Sequence, residues 1–298
     1  MTRQTVPLAA ILWLVGLTLA WGGGWPAMKH VVGEMPIFTF RTLSGVGGGI
    51  CVLALSALQG QSLVLPRSEW RITAIAAFFN VTCWFYFTAV ALLELPAGRS
   101  VVLAYTMPLW AVIAARLMVK DAITMRKIGG LALGMIAVAL LIGDDLARLG
   151  RAPLGVLAIL AAAATWAIGT IIQKRHWETP LLTLAGWQLL IGVIPIAVLM
   201  PFLESDPFAN VTVIGAWSMA YVILVACLFG YWAWFSIVKL VPTAVASIAV
   251  LPVPLVGVMS SSMALGEPIG WPEIGALVFI TAALATLLPT PNLRLWRR

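Results

Sequence analysis

The chain has 298 residues, 62% of them hydrophobic and 10% charged, with a formal net charge of +7. No single soluble core of that length hides so much apolar surface, so the composition excludes an ordinary soluble domain and requires a bilayer. The basic residues lie in short clusters between long uncharged stretches, which accounts for the positive balance without a nucleic-acid partner.

The uncharged stretches are about 17–25 residues long, the length at which a helix crosses the hydrocarbon. Ten spans are expected: 6–28, 36–58, 70–92, 97–119, 125–142, 153–172, 181–202, 211–235, 244–265 and 271–288. The first carries WGGGWPAMKH (21–30) at its end. There Trp21 and Trp25 share a helix face, the glycines permit close helix approach, and Pro26 frees the carbonyl of Gly22. The second span contains GVGGG (45–49) and the fifth GLALG (130–134), both with small residues four apart, a helix-packing spacing. The third places Asn80, Trp84 and Phe87 on one face, where an amide turned to lipid would be costly.

In the fourth span Tyr105 and Thr106 precede Pro108, which frees the carbonyl of Ala104. The sixth aligns Trp166, Gly169, Thr170 and Gln173 in one stripe, and the eighth ends in GYWAWF with Tyr231. The ninth holds Pro252 and Pro254, the latter freeing the carbonyl of Val250. Trp21, Asn80, Trp84, Tyr105, Trp166 and Tyr231 are therefore the candidate substrate-binding residues. Pro108, Pro252 and Pro254 are the candidate hinges.

Orientation follows from the basic residues. With the N-terminus inside, 13 of them fall on the cytoplasmic side, against Lys29, Arg41, Arg99, Arg148 and Arg151, 5 in all, on the other. Both termini are expected in the cytoplasm and the chain in the inner (plasma) membrane. The first span is expected to be retained rather than cleaved. Cys51, Cys83 and Cys227 fall inside spans and read as free thiols. No Asp or Glu lies mid-span, and His30 and His176 sit at span edges, so no carboxylate proton relay is expected. HExxH, P-loop and Rossmann signatures are missing, and no histidine is placed to activate the serines at 260–262. Neither a catalytic group, a metal site nor a cofactor is expected.

Shifted by 145 or 146 residues, the chain partly overlies itself. Trp21 falls on Trp166, Lys29 on Lys174, and 96–129 on 242–275, with Pro96 and Pro108 on Pro242 and Pro254. Each half holds five spans, an odd number, so the second copy enters the membrane from the opposite side. The expected fold is an all-α polytopic membrane protein of ten transmembrane helices, built as two inverted-topology five-helix repeats, residues 1–150 and 151–298.

WGGGWPAMK with Pro36 and Arg41 resembles the opening signature of the EamA family in the drug/metabolite transporter superfamily. GEPIGWPEIGALVFITAAL (266–284) is similar to that family's closing segment. KDAITMRKIGGLALGMIAVALL (120–141) is its counterpart in the first half, with Asp121 where the second copy has Glu267. AYTMP and TWAIGT resemble the aromatic amino acid exporters of that family, although Met107 stands where they suggest an aromatic. The resemblance implies a pathway among helices one, three, four, six, eight and nine. It implies export by alternating access of small amphipathic metabolites, amino acids including aromatic ones. Organic cations, drugs or another small metabolite are the alternative cargo, and a membrane scaffold without transport is the remote one. The partners expected are a small-molecule substrate and membrane lipid.

Overall fold

The computed structural model describes residues 8–122, 124–149, 153–206, 208–240 and 252–287. Among these residues every regular element is helical, and they form ten rods. We number them α1 (Leu8–Glu34), α2 (Ile37–Leu58), α3 (Arg67–Glu94), α4 (Ala97–Val119), α5 (Met125–Leu149), α6 (Pro153–Ile172), α7 (Leu181–Leu203), α8 (Val213–Leu240), α9 (Val253–Leu265) and α10 (Trp271–Leu287). Seven are long and apolar enough to cross a bilayer, namely α1 to α4 and α6 to α8; α9 and α10 are shorter apolar helices. Leu12, Leu19, Phe202, Trp217 and Met263 point outward from the bundle, an apolar periphery suited to lipid. The chain is a multi-span helical membrane protein. The expected start of the ninth span, Val250 and the junction at 150–152 lie outside the described residues.

Proline sets several boundaries. Pro36, Pro66, Pro96 and Pro180 stand immediately before α2, α3, α4 and α7 in extended backbone, where their fixed φ feeds the first turn. The fourth span is interrupted. Its first segment ends at Ala104, Tyr105 and Thr106 form a turn, and Met107–Val119 continues with Pro108 in its first turn. The second segment is 13 residues long and ends on Lys120 with φ 56°. Helix α9 repeats this layout: Pro252 caps it, Pro254 lies in its first turn, it is also 13 residues long, and it ends on Gly266 with φ 68°.

Three sequence expectations are corrected. Helix α1 does not end near residue 28 but runs through the glycines and Pro26 to Glu34. The carbonyl of Gly22, deprived of its helical donor, lies 3.3 Å from Ser260 Oγ on α9, a hydroxyl it shares with the carbonyl of Gly257 at 3.1 Å. Asn80 and Trp84 are not spaced as on a plain α-helix, because Phe78–Cys83 is π-helical and rotates the later turns of the rod. Helix α5 extends to Leu149, so Asp144 and Asp145 lie within it and not beyond it. Lys29, Arg41 and Arg99 stand inside helices, and Arg41 and Arg99 are buried.

Glycine lets the helices touch. Helices α2 and α7 run antiparallel: Gly45 meets Val193, Gly49 meets Leu190, Gly186 meets Leu53, and Ser56 Oγ lies 2.7 Å from Thr183 Oγ1. A Cβ on Gly49 would fall 2.7 Å from Leu190 Cδ2, so the small-residue spacing of the second span is a packing device. Helix α1 packs on α8 and α9, and α6 packs on α3 and α4. Helix α5 lies along α10, and α4 along α9. One large apolar core, with Trp25, Leu92, Tyr105, Ile159, Val258 and Ile280 among its members, joins α1, α3, α4, α6, α9 and α10.

Candidate functional site

The ends of the rods come first, because they hold the site's walls in place. A proline before a helix offers no side chain to the first free N–H groups. Here glutamates from distant parts of the chain fill that role. Glu204 accepts from the backbone nitrogens of Phe38 and Thr39 at 2.7 and 2.8 Å, and Glu267 from Ala97 and Gly98 at 2.7 and 2.9 Å. Glu69 accepts from Glu178 N at 2.7 Å and from Thr179, the two residues before Pro180, and Glu34 from N of Thr212, the residue before α8, at 2.9 Å. Glu204 and Glu267 each place a negative charge where a helix is positive. The reverse arrangement closes α3, whose last carbonyls, Leu92 and Leu95, accept from Lys29 Nζ. Arg99 Nε pairs with Glu273 at 2.7 Å. Asp121, the residue matched to Glu267 by the repeat, instead meets Lys127 Nζ at 2.8 Å, and that hydrogen bond holds its carboxyl below the usual range.

Inside this frame three indoles meet. Trp84 of α3 lies edge-on to Trp25 of α1 with ring centroids 6.5 Å apart, and 5.0 Å from Trp166 of α6. These are separations at which aromatic rings attract beyond simple burial. Asn80 stands just before them on α3, buried, its Oδ1 without a hydrogen-bond partner. It faces Gly169 of α6, where any Cβ would collide with that oxygen, so Gly169 makes the room that Asn80 occupies. A buried amide oxygen lacking a partner is a latent acceptor. Tyr105, at the break in α4, belongs to the same apolar core as Trp25.

The other two candidates lie elsewhere. Trp21 faces α8: its Nε1 donates to the carbonyl of Ala226 at 3.1 Å, and its ring lies 6.2 Å from Trp234. Ala226 belongs to the π-helical Tyr221–Phe229. Tyr231 stacks on Phe235 at 6.3 Å, beside the apolar group that also touches Trp84. Pro108 is half-buried, Pro254 buried and Pro252 exposed. Trp25, which shares a helix face with Trp21 but was not among the candidates, joins Trp84 and Trp166. Sequence did not single out the buried Arg41, whose partner Thr88 lies one turn after Trp84 on α3; an arginine within an otherwise apolar run was the available signal. Among the described residues no group of three His, Cys, Asp or Glu is placed to hold a metal. The arrangement offers ring faces, an amide oxygen and one guanidinium, which suits binding of an amphipathic solute and no bond-making chemistry.

Similarity to known proteins points the same way. The EamA-like transporter family matches the chain twice, over residues 8–143 and 153–288. An uncharacterized transporter of Bacillus subtilis, YoaV, is 22% identical over 280 residues, covering 93% of each chain. The aromatic amino acid exporter YddG of Ancylobacter novellus is 26% identical over 162 residues, covering 53% of this chain and 55% of its own. A crystal structure of a protein 18% identical in sequence superposes over 99% of this chain and 100% of its own with a TM-score of 0.67, a likeness of fold.

Proposed function

The chain belongs to the EamA-like transporter family, and from that premise we propose that it exports small amphipathic metabolites, foremost amino acids including aromatic ones, by alternating access. The observation that carries the cargo is the Trp25–Trp84–Trp166 run beside the unpartnered Asn80 oxygen: flat apolar faces with one acceptor for an N–H group. Likeness to an exporter of aromatic amino acids supports it. Trp21, Tyr105 and Tyr231 complete the proposed lining. Organic cations are disfavoured by the buried Arg41 nearby.

The proposed architecture is ten spans in two inverted halves, 1–150 and 151–298, with both termini in the cytoplasm and the protein in the inner membrane. Several findings support it. Helices α2 and α7 hold matching places in the two halves, yet they run in opposite directions. Exchanging the halves turns the α1 contacts with α8 and α9 into the α6 contacts with α3 and α4. The third rod of each half carries a π-helical segment, and the fourth rods share the turn, proline and left-handed ending. In this reading Pro108, Pro252 and Pro254 mark the hinges.

Reconstituted protein tests the proposal. Vesicles preloaded with phenylalanine should show exchange with external labelled phenylalanine, and Trp166→Ala should cut that flux roughly tenfold while folding stays intact. Absence of amino acid exchange in the unaltered protein would sink the proposal.

A further inference from the structure

Arg41 is a buried charge without a counter-charge among the described residues. It stands in the second turn of α2 at 2% exposure, with its guanidinium carbon 4.3 Å from the ring centroid of Phe40 and 4.9 Å from that of Phe85. Nη2 donates to Thr88 Oγ1 at 2.6 Å, Nη1 makes a long contact with Met28 Sδ at 3.5 Å, and Nε is buried without an acceptor. A guanidinium has five N–H donors, and this one meets a single good acceptor. Among the described residues no Asp or Glu is paired with it, and the ionisable side chain within electrostatic reach is the Cys227 thiol of α8. Ring faces and a thioether compensate only part of what a guanidinium loses on leaving water. A position needing only packing is better served by Leu or Met, and ionisable groups buried within membrane-spanning helices are characteristic of solute paths.

Thr88 ties this charge to the indoles. The same hydroxyl that accepts from Arg41 donates to the carbonyl of Trp84 at 2.6 Å, one turn earlier on α3. The cation is thus fixed on one side of the helix turn that carries the central tryptophan. We infer that Arg41 receives an anionic group of the transported solute, a carboxylate, while the Trp84 indole takes its apolar part. A singly charged planar carboxylate matches one guanidinium fork. A phosphate needs a second cation, and Lys29, on the neighbouring helix, is already bonded to the carbonyls of Leu92 and Leu95. This assignment rests on the transport reading above and narrows its solute class to carboxylates.

Binding to the purified full-length protein tests it, by thermal shift and by competition for labelled phenylalanine. The probes are phenylalanine, phenylalaninamide, 3-phenylpropanoate and 3-phenylpropanamide. The unaltered protein should bind each carboxylate about tenfold tighter, or more, than its amide. Arg41→Gln should abolish that preference and leave amide affinities within about twofold, and Arg41→Lys should restore part of it. Where Arg41→Gln fails to fold, Thr88→Val, which frees the guanidinium from its anchor, should weaken carboxylate binding selectively. Equal affinity for carboxylates and amides in the unaltered protein, or a preference that survives Arg41→Gln, overturns the assignment. Amino acid exchange with no role for Arg41 would leave the transport reading standing and end this one. An Arg41-dependent carboxylate preference without amino acid exchange would do the reverse.

Discussion

Glu267 stands 170 residues from Ala97 in the chain and 2.7 Å from its backbone nitrogen. The carboxylate does for α4 what Pro96, which has no capping side chain, cannot. The same substitution of a distant acid for a local cap recurs with Glu204 at α2, behind Pro36, while Glu69 holds the amides of Glu178 and Thr179 just before Pro180. Every one of these contacts joins the first 150 residues to the remainder. Glu267→Gln or Glu204→Gln should lower the apparent Tm of the detergent-solubilised protein by about 2–4 °C, equivalent to roughly 1 kcal/mol each. Differential scanning fluorimetry reads this directly, and unchanged melting would mean that the caps contribute nothing.

The α2–α7 seam makes a steric prediction. Gly49→Leu forces a side chain into space that Leu190 and the carbonyl of Gly186 already occupy, and should destabilise the fold by about 2 kcal/mol or more. Gly33→Leu, where no atom lies within 4 Å of the added Cβ, should be tolerated. Size-exclusion profiles of the two variants separate the cases: aggregation for the first, a single peak for the second.

Ser260 and Pro26 should be coupled. Ser260→Ala removes the donor that replaces the lost backbone N–H at the Gly22 carbonyl and should cost about 0.5–1 kcal/mol. In a Pro26→Ala background the restored backbone N–H serves Gly22, so Ser260→Ala should then cost close to zero. Additive melting shifts in the four-member cycle would contradict this account.

The proposed hinges predict a kinetic effect. Pro108→Ala and Pro254→Ala remove the proline from the first turn of two matched helical segments. Each should slow exchange roughly threefold or more, with substrate affinity held within about twofold. Rates indistinguishable from the unaltered protein in both variants would assign those prolines a purely shaping role.

Much of this was legible in the sequence, for physical reasons that can be named. Charge-free runs reveal helices in lipid because an unpaired charge there is so costly, and the family signature around Trp21–Lys29 was correctly read. The packing role of Gly45 and Gly49 was equally visible in their spacing. Helix ends were harder, since Pro26 reads as a breaker until Ser260 is seen to replace the lost donor, and nothing local announces that partner. The π-helical turn at Phe78–Cys83 has no sequence marker and altered which residues share a face with Asn80. The burial of Arg41 was not legible, because a charge count treats a basic residue as solvated, whereas Phe40, Phe85 and Thr88 enclose this one.

The exchange of caps across the molecule has a consequence for biosynthesis. When α2 and α4 first leave the ribosome, the acids at 204 and 267 that will cover their leading amides have yet to be translated. The early hairpins must therefore wait in the translocon or at the lipid headgroups, provisionally hydrated. The cap on α4 can close only after the stretch just past α9 emerges, so a nascent chain truncated before Glu267 leaves those amides uncovered.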